Sequence, residues 1–415
     1  GDELSSASGR ISGEYKLEVS LLEQSLQLKG LGQVSSFSVS HDALAEAPIG
    51  PFDIALGGAL SVGRADNGIR VEIRKGQFGL GELKAGFELD FFRQDERWRI
   101  ALDAQSEPLE FQSLVDSIPA NLLPHLEGLK ASGPLSSVLK LNIDSEKLDD
   151  TKLDIDIDTS KFKIKRLSKA LDFFALRHLF MTRFEMPEDE DGDRVIYRRE
   201  LGPASDRFVP LSDMTPLLPL AVMAQEDASF RKHKGISLFH LRGSLIDNLK
   251  KGRFVRGGST VTMQLARNLF LNRRKTLSRK LEEIVVAWLL EQYFDKDELM
   301  TLYLNVVEFG PDIFGVKEAA AHYFNCHPRA LSPAQTAWLI KLLPGPRLYY
   351  SQFEKKRLSK AFKENLNWLM RHMIRKGFMT QEQYEPVTET SLFDVQVEDN
   401  VPALPQDVGI PSGEL

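Results

Sequence analysis

Through residues 1–165 apolar and polar side chains alternate with a period of two. The alternation passes through Tyr15, Leu17, Val19 and Leu21, through Phe52, Ile54 and Leu56, and through Ile69, Val71 and Ile73. It returns at Phe87, Leu89 and Phe91, at Leu139, Leu141 and Ile143, and at Leu153, Ile155 and Ile157. Successive side chains of a strand point to opposite faces. Each run therefore predicts a strand with one apolar and one wet face, as in antiparallel sheets. Gly13, Gly58, Gly86 and Gly133 punctuate the runs at irregular intervals, a loose repeat rather than a counted solenoid. Residues 108–128, with Phe111, Leu114, Val115 and Ile118, predict a helix and its loops.

From Arg166 the period changes. Arg166–Phe180 predicts an amphipathic, partly basic helix, and Glu188–Asp193 an acidic loop. Mostly helical sequence follows from 216 to 385. Acids, turn formers and Pro402, Pro405 and Pro411 after Val387 predict a disordered tail. The pattern predicts an α+β multidomain chain: an antiparallel β-rich domain (1–165), a helical and acidic linker (166–204), an all-α domain (205–385) and an acidic tail (386–415).

Composition narrows the class. With 415 residues, 42% hydrophobic and 27% charged, the chain is long enough for more than one domain and too apolar for global disorder. Its single cysteine, Cys326, excludes an intrachain disulfide, and the eight histidines show no metal-ligand spacing. No apolar run reaches the length of a spanning helix, and the missing initial methionine leads us to expect a removed signal or anchor upstream of residue 1. The net charge of −6 argues against a nucleic-acid binder, but it is unevenly spread. Residues 1–165 carry −9, residues 381–415 carry −8, and the stretch between them carries +11.

The candidate chemistry lies in that basic stretch. Glu226 and Asp227 follow an apolar helical run and precede a basic cluster; desolvation there would raise a carboxylate pKa and suit general acid–base work, while a capping acid pair fits equally well. Gly257-Gly-Ser-Thr260 could present N–H groups and hydroxyls to an anion or be an ordinary capped loop. Residues 231–282 hold fourteen Lys and Arg against two acids, Asp247 and Glu282. Such one-sided density predicts a polyanion or an anionic membrane surface. The apolar Ile236, Leu238, Phe239, Leu241, Leu245, Ile246, Phe254 and Val255 among these cations predict a segment, 236–256, that dips into lipid; the alternative is a core helix with a basic outer face. Arg279, Lys280 and Glu283 share one helical turn, as a salt-bridged face or as a charged site.

In this order, these blocks resemble the peptidoglycan glycosyltransferases, the family 51 transglycosylase domain of penicillin-binding proteins and monofunctional transglycosylases. Glu226, Asp227, Phe230, His233 and Gly235 match the family's first motif, Glu-Asp-x-x-Phe-x-x-His-x-Gly, and Gly257–Gln264 its second. Arg279, Lys280 and Glu283 match the third, Lys296 with Tyr303-Leu304-Asn305 and Gly310 the fourth, and Leu331–Leu339 with Leu343-Pro344 approximate the fifth. The departures are Met263 for glutamine, Gln335 for glutamate, and Pro311-Asp312 for a glycine-rich turn.

The resemblance covers about residues 205–350. It implies a lysozyme-like helical fold and polymerisation of lipid II into glycan strands, with inversion at C1 and release of undecaprenyl diphosphate. By position, it implies that Glu226 is the base for the acceptor 4-hydroxyl. Glu283 would lie near the donor pyrophosphate, directly or through a divalent cation such as Mg2+ or Mn2+. Arg267, Lys275, Arg279 and Lys280 would neutralise phosphate, and Asp227, His233, Ser259, Thr260, Gln264 and Asn305 would complete the substrate site. It further implies a place at the periplasmic face of the inner membrane and a separate transpeptidase, because Ser137-x-x-Lys140 and Ser160-x-x-Lys163 lack that enzyme's partner motifs. A lysozyme-type hydrolase would also use two carboxylates but would not need clustered cations.

Residues 133–144 resemble, more loosely, the β-rich segments of AsmA-like envelope proteins; a β-sandwich or a protein-docking module fits the same pattern. Two functional classes stand at this point: an active polymerase, and a degenerate transferase kept as a scaffold beside a lipid- or protein-binding β-domain.

Overall fold

A computed structural model of the chain describes residues 6–22, 24–188, 194–272, 274 and 276–393, with side chains described for all of these except 181–199. The chain divides into two compact units. The first comprises Gly1–Asp172, Ser237–Ser259 and Arg273–Val285; the second comprises Phe173–Ile236, Thr260–Asn272 and Val286–Leu415.

The first unit is built on one antiparallel sheet of long strands. These are β1 (Ser6–Ser20), β2 (Ser25–Ser40), β3 (Ile49–Ala65), β4 (Gly68–Leu80), β5 (Leu83–Gln94) and β6 (Arg97–Ser106) in a meander, then β9 (Pro134–Asp144) and β10 (Lys152–Asp158). Short β7 (Leu109–Glu110) pairs with β9, and β8 (Lys130–Ser132) pairs with β11 (Lys163–Arg166). The long strands form one nine-stranded sheet, and β8 with β11 is a separate two-stranded sheet. The registry explains the alternation: Leu17, Leu28, Leu60, Ile73, Leu89, Leu102, Leu141 and Leu153 are successive partners in one row across eight strands. A parallel row runs Val19, Leu26, Val62, Val71, Phe91, Ile100 and Ile143. Side chains directly opposite on one face touch, so each row is a continuous apolar stripe. Ile143 is buried, while the other members are half-buried or exposed. The opposite face carries ion pairs such as Arg70–Asp90 and Arg74–Glu88.

Between β7 and β8 the predicted helix forms as α1 (Phe111–Ser117), followed by two 3-10 turns, Ala120–Leu122 and Pro124–Leu126. The first unit also contains α3 (Leu238–Lys251), which packs on β10. Arg242 donates to the carbonyls of Thr151 and Asp149, and Lys250 pairs with Asp149 at 2.5 Å. Two cations expected to face lipid are therefore taken by the turn between β9 and β10, and Ile246 is buried. Phe239, Phe254 and Val255 remain exposed, at 64%, 81% and 44%.

The second unit is mostly helical: α2 (Leu217–Gln225), α4 (Val261–Phe270), α6 (Lys296–Val306), α7 (Val316–Phe324), α8 (Pro333–Leu342), α9 (Pro346–Glu354), α10 (Lys360–Arg375) and α11 (Glu389–Phe393). Helix α5 (Leu277–Tyr293) gives its residues to Val285 to the first unit and the rest to the second. Apolar α2 and α8 pack on each other and on α10, whose Phe362, Leu366, Leu369, Met370 and Met373 follow helical spacing and are buried. Trp338 is fully buried, with the rings of Phe362 and Phe393 edge-on at 5.3 and 5.5 Å. Gln335 closes a capping box with Ser332, so that departure from the fifth motif leaves the start of α8 well capped.

Four expectations are corrected. Arg166–Phe180 is not a helix: Leu171, Phe173 and Leu176 are buried at spacings of two and three, through turns and a 3-10 segment Ala175–Arg177. The supposed helical linker continues as the hairpin β12 (Phe180–Glu188) and β13 (Arg194–Leu201), and residues 189–193 of the acidic loop lie outside the described residues. The second unit is therefore not all-α, since β14 (Glu308–Gly310) and β15 (Ile313–Phe314) add another hairpin. Its turn uses Asp312 at φ 60°, a left-handed conformation that Asp tolerates in place of glycine. Finally, Val387 and Leu392 are buried and α11 forms, so the chain is folded to Phe393. The remainder of the predicted tail lies outside the described residues. No helix among the described residues is long and apolar enough to cross a membrane.

Candidate active site

Glu226 stands at the C-terminal end of α2, where the apolar helix gives way to the basic loop. Its Oε2 accepts a hydrogen bond from Gln264 Nε2 at 3.0 Å. Gln264 Oε1 in turn accepts from the hydroxyl of Tyr303 at 3.1 Å. Tyr303 is wholly buried, which holds its pKa well above the usual phenol value. It therefore remains a donor and fixes which way the Gln264 amide points. Burial raises the Glu226 pKa, opposed by the Gln264 hydrogen bond, by the Lys341 charge and by Gln225. The result is a partly buried carboxylate, oriented by a two-step relay and with raised proton affinity, as a general base requires.

A second carboxylate cluster belongs to the first unit. Glu283 is fully buried; Arg279 Nη1 donates to its Oε2, and Lys280 Nζ lies 2.8 Å from its Oε1. Lys280 also reaches Ser259 Oγ at 2.7 Å, and that hydroxyl lies 3.5 Å from Glu283. A buried carboxylate held by two cations fixes them in place with positive charge to spare, a suitable environment for a phosphate. The donor set does not suit a resident metal. Both Glu283 oxygens are engaged by cations, and among the described residues no group of three His, Cys, Asp or Glu side chains could hold an ion.

Several of the expected substrate-site residues make hydrogen bonds that brace the fold. Asp227 is fully buried; its Oδ2 accepts the Val261 N–H at the start of α4 and lies 2.9 Å from His233 Nε2. Thr260, also fully buried, donates to the Gly235 carbonyl at 2.6 Å and caps α4 through Met263 N–H. Gly235 has φ 91°, and a Cβ there would meet the Ala287 carbonyl carbon at 3.0 Å, so only glycine fits. Asn305 is buried and its amide is consumed by the backbone of Val209 and the Thr301 carbonyl. Asp227, Thr260 and Asn305 thus tie together the backbone around the carboxylate of Glu226. Gly258 is also a packing residue, since a Cβ would lie 2.9 Å from Leu241. Arg267 is close enough to Tyr303 for its charge to act on the phenol, and Lys275 lies outside the described residues.

Motif reading missed Lys341, whose Nζ donates to Gln225 Oε1 at 2.6 Å and sits 4.8 Å from the Trp368 ring centroid. It also missed the partners of Lys296, which pairs with Glu291 at 2.7 Å over the Phe230 ring. These contacts join residues far apart in sequence with no local pattern. Only the sparse lysines of otherwise apolar helices hinted at them.

Residues 193–374 match the family described as transglycosylase. Proteins named biosynthetic peptidoglycan transglycosylase are similar to this chain. The one from Nitrosomonas eutropha is 39% identical over 154 residues, 37% of this chain and 63% of the relative. That from Laribacter hongkongensis is 42% identical over 143 residues, 34% and 63%, and that from Nitrosomonas europaea is 39% identical over 160 residues, 38% and 66%. The chain thus spans a little under two thirds of the length of these relatives. Glu226, Glu283 and their partners all fall within the segment, residues 193–374, that matches the transglycosylase family.

Proposed function

We propose that the chain is a peptidoglycan glycosyltransferase that polymerises lipid II into glycan strands. The observation that carries this reading is the relay Tyr303–Gln264–Glu226, which presents an oriented carboxylate of raised pKa. Glu226 takes the proton of the acceptor 4-hydroxyl as that oxygen bonds to C1 of the donor sugar. The bond from C1 to the diphosphate breaks on the opposite face, and undecaprenyl diphosphate leaves. A diphosphate departs with charge rather than needing a proton, so the second carboxylate serves as an anchor: Glu283 holds Arg279 and Lys280, cations suited to a diphosphate's negative charge. Hydrolysis would need neither the cation cluster nor Ser259 beside Lys280, and a scaffold would need neither carboxylate.

The same reading carries a lysozyme-like helical fold, action at the periplasmic face of the inner membrane, and a separate transpeptidase to cross-link the product. Exposed Phe239, Phe254 and Val255 support membrane contact, since a lipid-linked substrate must be met at headgroup level. The test is product identity. Purified chain incubated with lipid II in detergent should yield polymer and one undecaprenyl diphosphate per linkage. Free disaccharide with no polymer would instead mean hydrolysis, and unchanged lipid II would sink the proposal.

A further inference from the structure

The third motif, Arg-Lys-x-x-Glu, fixes Glu283 and leaves position 282 open, yet Glu282 is a buried carboxylate at 2% exposure. Both its oxygens are bonded by one residue of the β-rich segment. The His125 backbone N–H donates to Oε1 at 2.6 Å, and His125 Nδ1 lies 2.9 Å from Oε2. The His125 carbonyl is itself held by the Ser168 hydroxyl at 2.5 Å. One turn toward the start of α5, Ser278 Oγ donates to the Leu122 carbonyl at 2.7 Å. The N–H groups of Leu277 and Ser278, which a helix start leaves without internal partners, donate to the carbonyls of Ala43 and Leu44 at 2.9 Å each. Two separate stretches, around residues 43–44 and 122–125, thus converge on the first turns of one helix, and the second is itself held by Ser168.

Consecutive helical residues point about 100° apart, so fixing Glu282 sets where Glu283 points. We propose that His125 is a positioning residue: by clamping Glu282 it fixes the rotation of α5 that delivers Glu283 to Arg279, Lys280 and Ser259. The β-rich segment thereby becomes part of the donor-handling apparatus. The catalytic consequence rests on the transferase reading of Glu283, whereas the clamp itself does not. Facing a carboxylate oxygen, His125 donates through Nδ1–H, so an asparagine amide can replace it in place and an alanine cannot.

The experiment compares the full chain with His125→Ala and His125→Asn. On lipid II, His125→Ala should lose about tenfold or more in kcat with KM changed less than about twofold, because a misaligned anchor acts in the transition state. His125→Asn should recover most of the loss. Amide hydrogen exchange over 277–283 should be at least tenfold faster in His125→Ala than in the parent. Unchanged kcat in His125→Ala, an Asn variant as slow as the Ala variant, or unchanged exchange protection would each overturn the proposal. A parent that makes no polymer sinks the transferase reading alone, and the exchange comparison still decides the clamp.

Discussion

Glu226 owes its role to where α2 stops. Burial raises its pKa, so the folded chain binds a proton more tightly than the unfolded chain. This gain in stability is full below the unfolded value, about 4.3, and is lost as pH rises through the higher folded value. At neutral pH the ionised carboxylate therefore costs stability. Glu226→Gln should leave the melting temperature equal to or above the parent's, measured by calorimetry at pH 7, while polymerisation falls roughly 10²–10⁴-fold. A clear drop in melting temperature would contradict the burial argument. Lys341 lowers the Glu226 pKa by its charge. Lys341→Met should therefore move the acid limb of the pH–rate profile upward; a limb that stays put or moves down would remove Lys341 from the site. Asn305→Ala should strip the Val209 backbone of two partners and destabilise by about 1–3 kcal/mol, read by urea unfolding. At this scale the ordered motifs made the two carboxylates Glu226 and Glu283 legible as candidates. They did not reveal the internal partners of Asp227, Thr260 and Asn305, because those include backbone atoms far along the chain.

Among the elements, the strands were the most legible. A sheet with one apolar face imposes strict alternation, and the row from Leu17 to Leu153 is that alternation read across the strands. The stretch 166–180 misled because its basic start reads as a helix face, whereas Lys163 and Arg166 pair with β8 and the apolar residues pack through turns. Helix α3 shows a mixed outcome. Its cations Arg242 and Lys250 bond within the first unit, and Asn248 braces the loop after it through Val255 and Arg256 N–H. Phe239 and Phe254 are left exposed on this held scaffold. Replacing both by Asp should weaken co-sedimentation with anionic vesicles, with the far-ultraviolet spectrum unchanged. Equal binding by variant and parent would remove α3 and its loop from the membrane account.

Across the whole molecule, the charge partition read from sequence has a structural counterpart. The acidic N-terminal stretch is a sheet with a charged face, and the basic stretch carries both carboxylate clusters. The division into units was less legible, since residues 237–259 and 273–285 fold with the β-rich segment although residues 173–236 intervene. Local periodicity carries no record of such pairings; His125 with Glu282 and Arg242 with Thr151 are side-chain contacts that only the folded chain brings together. The central claim is that Glu226 is the base of a lipid II polymerase. Its most direct test is glycan chain formation from lipid II by the parent and by Glu226→Gln, at matched concentration and matched folded fraction. The account predicts polymer from the parent and at most about a hundredth of that rate from the variant; comparable polymer from both would contradict it.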